Sequence, residues 1–214
     1  MHPQAQKGYI IHLQNETTKN RLPYINTLID TLKPIELSIF NASDGSLFQK
    51  DPSIPKVQPV TRQRVSQGNM GCTHSHLLIL EQDFDTMVIF EDDCELTAPK
   101  EAIQAFLDLN YQQPWDILLL GANEYVDAEI DVPGFTKRVK RFWGTQALIV
   151  RKKAARAVLA TFKEMQKEGL FPPADWLYNE AIKRHNLVCI GPNLPTKFCR
   201  QARGLVSLIT GKVR

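Results

Sequence analysis

The run Thr86-Met87-Val88-Ile89-Phe90 constrains the fold more than any other stretch of the chain. It is apolar at every position after its threonine and stops at Glu91-Asp92-Asp93. A strand that alternates polar and apolar side chains can leave one face in water, whereas a continuous apolar run must be covered on both faces. This segment therefore predicts a central strand with helices packed on either side, and it ends in three adjacent carboxylates.

The rest of the chain supplies an alternating set of elements. Gly8 to Leu13 reads as a first buried strand, Asn15 to Lys19 as a polar break, and Leu22 to Leu32 as a helix closed by Pro34. Ile35 to Phe40 predicts a second strand that stops at Asn41-Ala42-Ser43-Asp44-Gly45, a turn-forming sequence. Ser46 to Gln67, with Pro52, Pro55 and Pro59, reads as a long surface excursion. Helices are expected over Met70 to Glu81, Lys100 to Leu109, Arg151 to Gln166 and Ala174 to His185. Strands are expected over Trp115 to Leu120, Gln146 to Val150 and Leu187 to Ile190, the middle one after a loop holding Trp143-Gly144-Thr145. Such alternation predicts an α/β fold, a single α/β/α domain with a largely parallel central sheet, whose ligands bind beyond the carboxyl ends of the strands.

Composition narrows the function classes. A chain of 214 residues with 43% hydrophobic and 23% charged residues can bury one core, which argues against intrinsic disorder. A net charge of +3 is too small for a general nucleic-acid binder. Within 197–214, Lys197, Arg200, Arg203, Lys212 and Arg214 lie without an acidic residue, a pattern suited to pyrophosphate, an anionic acceptor or peripheral contact with a membrane surface, or simply to a solvated tail. Cys72, Cys94, Cys189 and Cys199 are widely spaced and form no paired-cysteine pattern, so reduced thiols in a cytoplasmic setting are expected. No apolar run is long enough to span a bilayer.

Repulsion among Glu91, Asp92 and Asp93 would be relieved by a hard divalent cation such as Mn²⁺ or Mg²⁺, with substrate phosphates completing the coordination shell. A solvated acidic turn is the other reading of the same residues. The wider pattern bears on the choice. In order the chain carries Ile10-Ile11-His12-Leu13, the Asn41–Gly45 loop, Gly71-Cys72-Thr73-His74-Ser75-His76, the acidic strand end, Phe142-Trp143-Gly144-Thr145-Gln146-Ala147 and Pro173-Ala174-Asp175-Trp176. Over roughly Gly8 to Asn193 this series resembles glycosyltransferase family 25, the family of lipooligosaccharide and collagen galactosyltransferases. Gln146 and Leu148 depart from it where the family often has an aromatic residue.

The resemblance implies a GT-A type domain that transfers a hexose, galactose by preference, from a UDP-sugar donor to a glycan or glycosylated acceptor. Nucleotide-sugar binding would fall to about 8–121 and the acceptor to about 122–196. In place of an Asp-x-Asp motif, Asp93 and Glu91 would hold the metal, with Glu91 facing ribose or a metal-bound water and Asp92 in support. His12, Asn15, Arg21 and Asp44 would contact the nucleotide; Ser75, His76, Gly144 and Thr145 would orient the acidic loop or admit the sugar. Alternatives stay open for several of them, since Asp44 could cap a turn and His12 and His76 could be core residues. Lys197, Arg200 and the segment Lys137-Arg138-Val139-Lys140-Arg141 could add donors to the diphosphate. The resemblance further implies inversion at the anomeric carbon, which requires a general base. Asp175 is the candidate, with Trp176 as a sugar-stacking surface, against a helix cap and a core tryptophan. A noncatalytic glycan- or nucleotide-sugar-binding protein on the same fold is the competing class.

Overall fold

The computed structural model describes residues 7–59, 64–131, 136–202 and 205. In chain order the elements are β1 (Lys7–His12), a 3₁₀ turn (Glu16–Arg21), α1 (Leu22–Thr31), β2 (Glu36–Asn41), α2 (Gly45–Lys50), α3 (Gln67–Leu80), β3 (Thr86–Glu91) and β4 (Cys94–Leu96). They continue with α4 (Lys100–Tyr111), β5 (Ile117–Gly121), β6 (Glu124–Asp131), β7 (Thr136–Trp143), β8 (Ala147–Arg151), α5 (Lys152–Lys167), α6 (Ala174–His185), β9 (Cys189–Pro192) and β10 (Cys199–Gln201).

Among the described residues, eight strands form one sheet in the order β2-β1-β3-β8-β5-β9-β7-β6, and β10 pairs with β4 in a small second sheet. β1 is parallel to β2 and β3, and β5 is parallel to β9, whereas β8 and β7 run against their neighbours. The sheet is therefore mixed, with β1, β2, β3, β5, β6 and β9 pointing one way. β3 is the central strand its composition requires, because adjacent side chains enter opposite cores. Met87 and Ile89 pack with residues of α3, α5 and α6, including Leu77, Val158 and Leu177. Val88 and Phe90 pack with Ile25 and Leu28 of α1 and with Ile103 and Phe106 of α4. Helices thus cover both faces, as the alternating pattern predicts.

Two stretches to which the sequence assigned no helix or strand contain regular structure. α2 occupies the start of the supposed surface excursion, with Asp44 as its N-cap accepting a hydrogen bond from the Ser46 amide at 2.8 Å. The region before Gly144 is the antiparallel hairpin of β6 and β7. Its strands carry charge at half of their positions, and in β7 only Val139 and Phe142 are buried. A place at the end of the sheet tolerates this pattern, because one strand edge and much of each face remain in water. Lys140 of the segment suggested as a phosphate binder instead pairs with Glu129 across the hairpin.

Arg203, Lys212 and Arg214 of the basic tail lie outside the described residues. No helix among the described residues is long and apolar enough to cross a membrane. Cys72, Cys94, Cys189 and Cys199 are free thiols.

Candidate active site

The carboxyl ends of β1 and β3 and the start of β8 come together at one edge of the sheet, where Phe90 pairs with Ala147. The chain turns there at Asp92 and Asp93. Asp92 is buried and fully engaged: its amide donates to Ile11 O at 3.1 Å, Oδ2 is 2.7 Å from His12 Nδ1, and Oδ1 accepts from Arg21 Nη1. Charge-assisted hydrogen bonds of this kind offset the desolvation of a buried carboxylate and fix its orientation. Asp92 therefore braces the turn from behind.

Asp93 sits in a different environment. Its Oδ2 accepts from Gln201 Nε2 at 2.7 Å and lies 3.9 Å from Arg21 Nη1, while Oδ1 is buried without a hydrogen-bond partner. Burial, reinforced by the charge of Glu91, pushes the Asp93 carboxyl up to about 6 against the opposing effects of Gln201 and Arg21. Glu91 is partly buried, which would raise it, but His76, Thr145 and Cys72 outweigh that effect and hold it below its ordinary value. Thr145 Oγ1 donates to Glu91 Oε1 at 2.5 Å. An ionised carboxylate beside a second carboxylate with a buried, partnerless oxygen suits a hard divalent cation in both charge and donor type.

The acids lie between two cavities. The larger, of about 190 Å³, is walled by Ile11, Leu13, Arg21, Asp44, Gly68 and Asp93 among others. The smaller, of about 90 Å³, is walled by Asn123, Gly144, Thr145, Gln146 and Asp175 among others. Cys72, Glu91 and Gln201 line both, so the two chambers are parts of one cleft that meet at Glu91. On the smaller side, Asp175 Oδ2 accepts from the Gly144 amide at 3.1 Å and Oδ1 from the Trp176 amide at 2.8 Å. Burial raises the Asp175 carboxyl above its ordinary value in spite of these two amides, and Glu91 adds to the rise.

The profile of glycosyltransferase family 25, described as an LPS biosynthesis protein, matches residues 5–177. The chain belongs to glycosyltransferase family 25. It is accordingly a glycosyltransferase, and the residues matched include β3, its acidic turn and Asp175. No curated protein sequence matched the chain. Among solved structures, similarity extends to a Drosophila β1,4-galactosyltransferase 7 mutant in complex with manganese, UDP-Gal and xylobiose, at 11% identity and a TM-score of 0.48 over 92% of this chain and 70% of that one. A putative glucose-1-phosphate thymidylyltransferase from Bacillus anthracis in complex with a sucrose aligns at 12% identity and a TM-score of 0.47 over 87% of each chain. A197 from STIV aligns at 12% identity and a TM-score of 0.45 over 94% of this chain and 95% of that one.

Within this family 25 transferase, the residues singled out from sequence occupy different depths. Arg21, Asp44, Glu91, Asp92, Asp93, Gly144, Thr145 and Asp175 line the cleft. His12 stands behind Asp92, and His76 stands behind Glu91 with Nε2 3.5 Å from Oε1 and Nδ1 3.2 Å from the Tyr178 hydroxyl. Ser75 is a buried tie rather than a wall residue: its hydroxyl donates to Gly71 O at 2.7 Å and accepts from the Ser43 amide at 2.9 Å. Asn15 is exposed at the start of the 3₁₀ turn, away from the walls of both chambers. Trp176 stacks on Trp143 with ring centres 6.1 Å apart. The N-cap of α6 is Pro173, so Asp175 lies inside the first turn. Gly144 has φ of 85°, in the left-handed region where a side chain is strained, and that backbone aims its amide at Asp175.

Gln201, Cys72 and Asn123 are cleft residues to which the sequence assigned no role in the site. Gln201 is more than a hundred positions from Asp93, and only the pairing of β10 with β4 brings it there. Of the cations considered for the diphosphate, Arg200 pairs with Glu95 at 2.8 Å and Lys197 lies 5.4 Å from the centre of the Phe198 ring. Neither lines the cleft, whereas Arg21 does.

Proposed function

We propose that this transferase moves a hexose, galactose by preference, from a UDP-sugar to a hydroxyl of a glycan or glycosylated acceptor, with inversion and with Mn²⁺ or Mg²⁺. One observation carries the reading: the acidic turn lies at the junction of two chambers, the larger beside the ends of β1 and β2 and the smaller holding Asp175. Donor nucleotide in the larger chamber and acceptor hydroxyl in the smaller would meet at Glu91. The donor side is built mainly from 8–121 and the acceptor side from 122–196, with Gln201 added from beyond both.

Asp93 and Glu91 would hold the cation, which when bound supplies Lewis-acid stabilisation of charge on the departing diphosphate. Arg21 fixes Asp92 and adds positive potential on the donor side. Asp175 accepts the proton of the acceptor hydroxyl as that oxygen bonds to the anomeric carbon; the bond from carbon to diphosphate oxygen breaks, and UDP leaves with the electron pair. Its raised proton affinity favours such a base, and the amides of Gly144 and Trp176 hold its orientation. Trp143 and Trp176, stacked on each other next to Gly144 and Asp175 in the chain, would offer the acceptor sugar an aromatic surface.

Incubation with a panel of UDP-sugars, Mn²⁺ and candidate acceptors, read by UDP release and product mass, tests the transfer. Calorimetry should show donor binding strengthened by Mn²⁺ and most of that strengthening lost in Asp93→Ala; equal affinity in chelator and in Mn²⁺ would remove the metal assignment. Asp175→Asn should lower the transfer rate by about 10²- to 10⁴-fold with donor affinity little changed. Near-normal transfer by that variant would remove Asp175 as the base, and binding without turnover of any donor would favour a noncatalytic sugar-binding protein.

A further inference from the structure

Cys72 and His76 lie one turn apart on α3, so both project from the same face of that helix. That face looks at Glu91: Cys72 Sγ is 3.6 Å and His76 Nε2 3.5 Å from Glu91 Oε1, and the three ligand atoms lie within 4.8 Å of one another. A tetrahedral zinc ion with Zn–S of about 2.3 Å and Zn–N or Zn–O of about 2.0 Å separates its ligand atoms by about 3.3–3.6 Å. Both Glu91 distances already match those edges.

The state of His76 is a second sign. The residue is 1% exposed, and its Nε2, facing Glu91 Oε1 at 3.5 Å, makes no hydrogen bond of good geometry although it is buried. Buried ring nitrogens are normally satisfied. The other nitrogen, Nδ1, lies 3.2 Å from the Tyr178 hydroxyl, and a hydrogen bond of that kind is what orients a metal-binding histidine and sets its tautomer. Cys72 lines both chambers, so an ion reaches the cluster from the cleft and keeps a fourth position open toward it.

We propose that Cys72, His76 and Glu91 form a site for Zn²⁺ or a similarly thiophilic divalent cation, separate in donor chemistry from the oxygen site at Asp93, and that its occupation inhibits the transferase by taking Glu91. Mn²⁺ and Mg²⁺ favour oxygen donors, whereas a thiol and an imidazole favour zinc. On binding, the Cys72 S–H bond breaks, the sulfur keeps the electron pair as a zinc-bound thiolate, and the proton passes to solvent. The negative charges of Glu91, Asp175 and Asp93 around Cys72 all favour an arriving cation. Zinc binding stands independently of the donor reading; the inhibition rests on it.

The full chain, freed of metal, is titrated with Co²⁺ as a spectroscopic probe. A thiolate-to-cobalt charge-transfer band should grow to one equivalent and vanish on addition of Zn²⁺. Cys72→Ser should abolish the band, and both Cys72→Ser and His76→Gln should weaken Zn²⁺ at least tenfold in competition with a chromophoric chelator. Zn²⁺ should also protect Cys72 of the unaltered protein from alkylation, read by peptide mass, which decides the matter even if a variant misfolds. Absence of the band and of protection in the unaltered protein, or unchanged zinc affinity in folded Cys72→Ser, would overturn the site. Added Zn²⁺ should weaken Mn²⁺-supported UDP-sugar binding at least tenfold in the unaltered protein; unchanged donor affinity with zinc bound would overturn the inhibition. Donor binding indifferent to Mn²⁺, with the cobalt band intact, would instead sink the metal-dependent donor reading and leave the zinc site standing.

Discussion

Asp92 and Asp93 are neighbours with the same side chain and opposite situations. Asp92 is saturated by His12 and Arg21, while Asp93 keeps one buried oxygen without a partner. With its carboxyl at about 6 against an ordinary 3.8, the metal-free folded chain holds the Asp93 proton more tightly than the unfolded chain does. That contribution to stability is present in full below the ordinary value and is lost as pH rises through about 6. At about 1.4 kcal/mol per unit, the loss is bounded at roughly 3 kcal/mol. Asp93→Asn removes the charge and keeps an acceptor, so its metal-free stability relative to the unaltered protein should grow by ~1–3 kcal/mol between about pH 4 and pH 7. Urea unfolding in chelator measures this difference, and a difference that stays flat with pH would show that Asp93 is not strained by its charge.

At the scale of elements, the cleft depends on how closely the loop after β2 approaches α3. A Cβ on Gly71 would lie 2.4 Å from Ser43 O, so the backbones meet where no side chain fits. Ser75 completes the join by accepting from the Ser43 amide. Its replacement by alanine leaves that amide without its side-chain acceptor at a site with no added room. Ser75→Ala should therefore cost about 1–3 kcal/mol of stability. It should also weaken donor binding, because Ala42, Ser43, Asp44 and Gly45 form part of the larger chamber. Thermal unfolding and donor calorimetry on the same sample test both halves; a destabilised protein with unaltered donor affinity would detach this loop from donor binding.

Across the whole molecule, the sheet is completed by residues far along the chain. β9 lies between β5 and β7, and Phe198 and Cys199 fill the core shared by α1 and α4. The family match ends at residue 177, before any of these. A chain cut after Leu177 loses an interior strand, most of α6 and Gln201, and leaves the apolar face of β5 uncovered. It should fail to fold, with loss of cooperative thermal unfolding in circular dichroism. A cooperative, soluble product would mean that β9 and β10 are accessories to the fold.

The sequence by itself determined the alternation of elements, the central place of β3 and the position of the acids at its end. Each comes from local chemistry: an unbroken apolar run needs cover on both faces, and turn residues and prolines mark where elements stop. The β6–β7 hairpin escaped because strands at the end of a sheet keep their charge, and α2 because six residues give too little periodicity. Pairing was decided only in three dimensions. The antiparallel insertion of β8 between β3 and β5 puts Thr145 against Glu91, and the pairing of β10 with β4 brings Gln201 to Asp93. The roles of neighbouring acids were likewise illegible, since Glu91, Asp92 and Asp93 differ not in chemistry but in which distant side chain meets each carboxylate. Such meetings depend on the packing of residues remote in the chain, which no local pattern records.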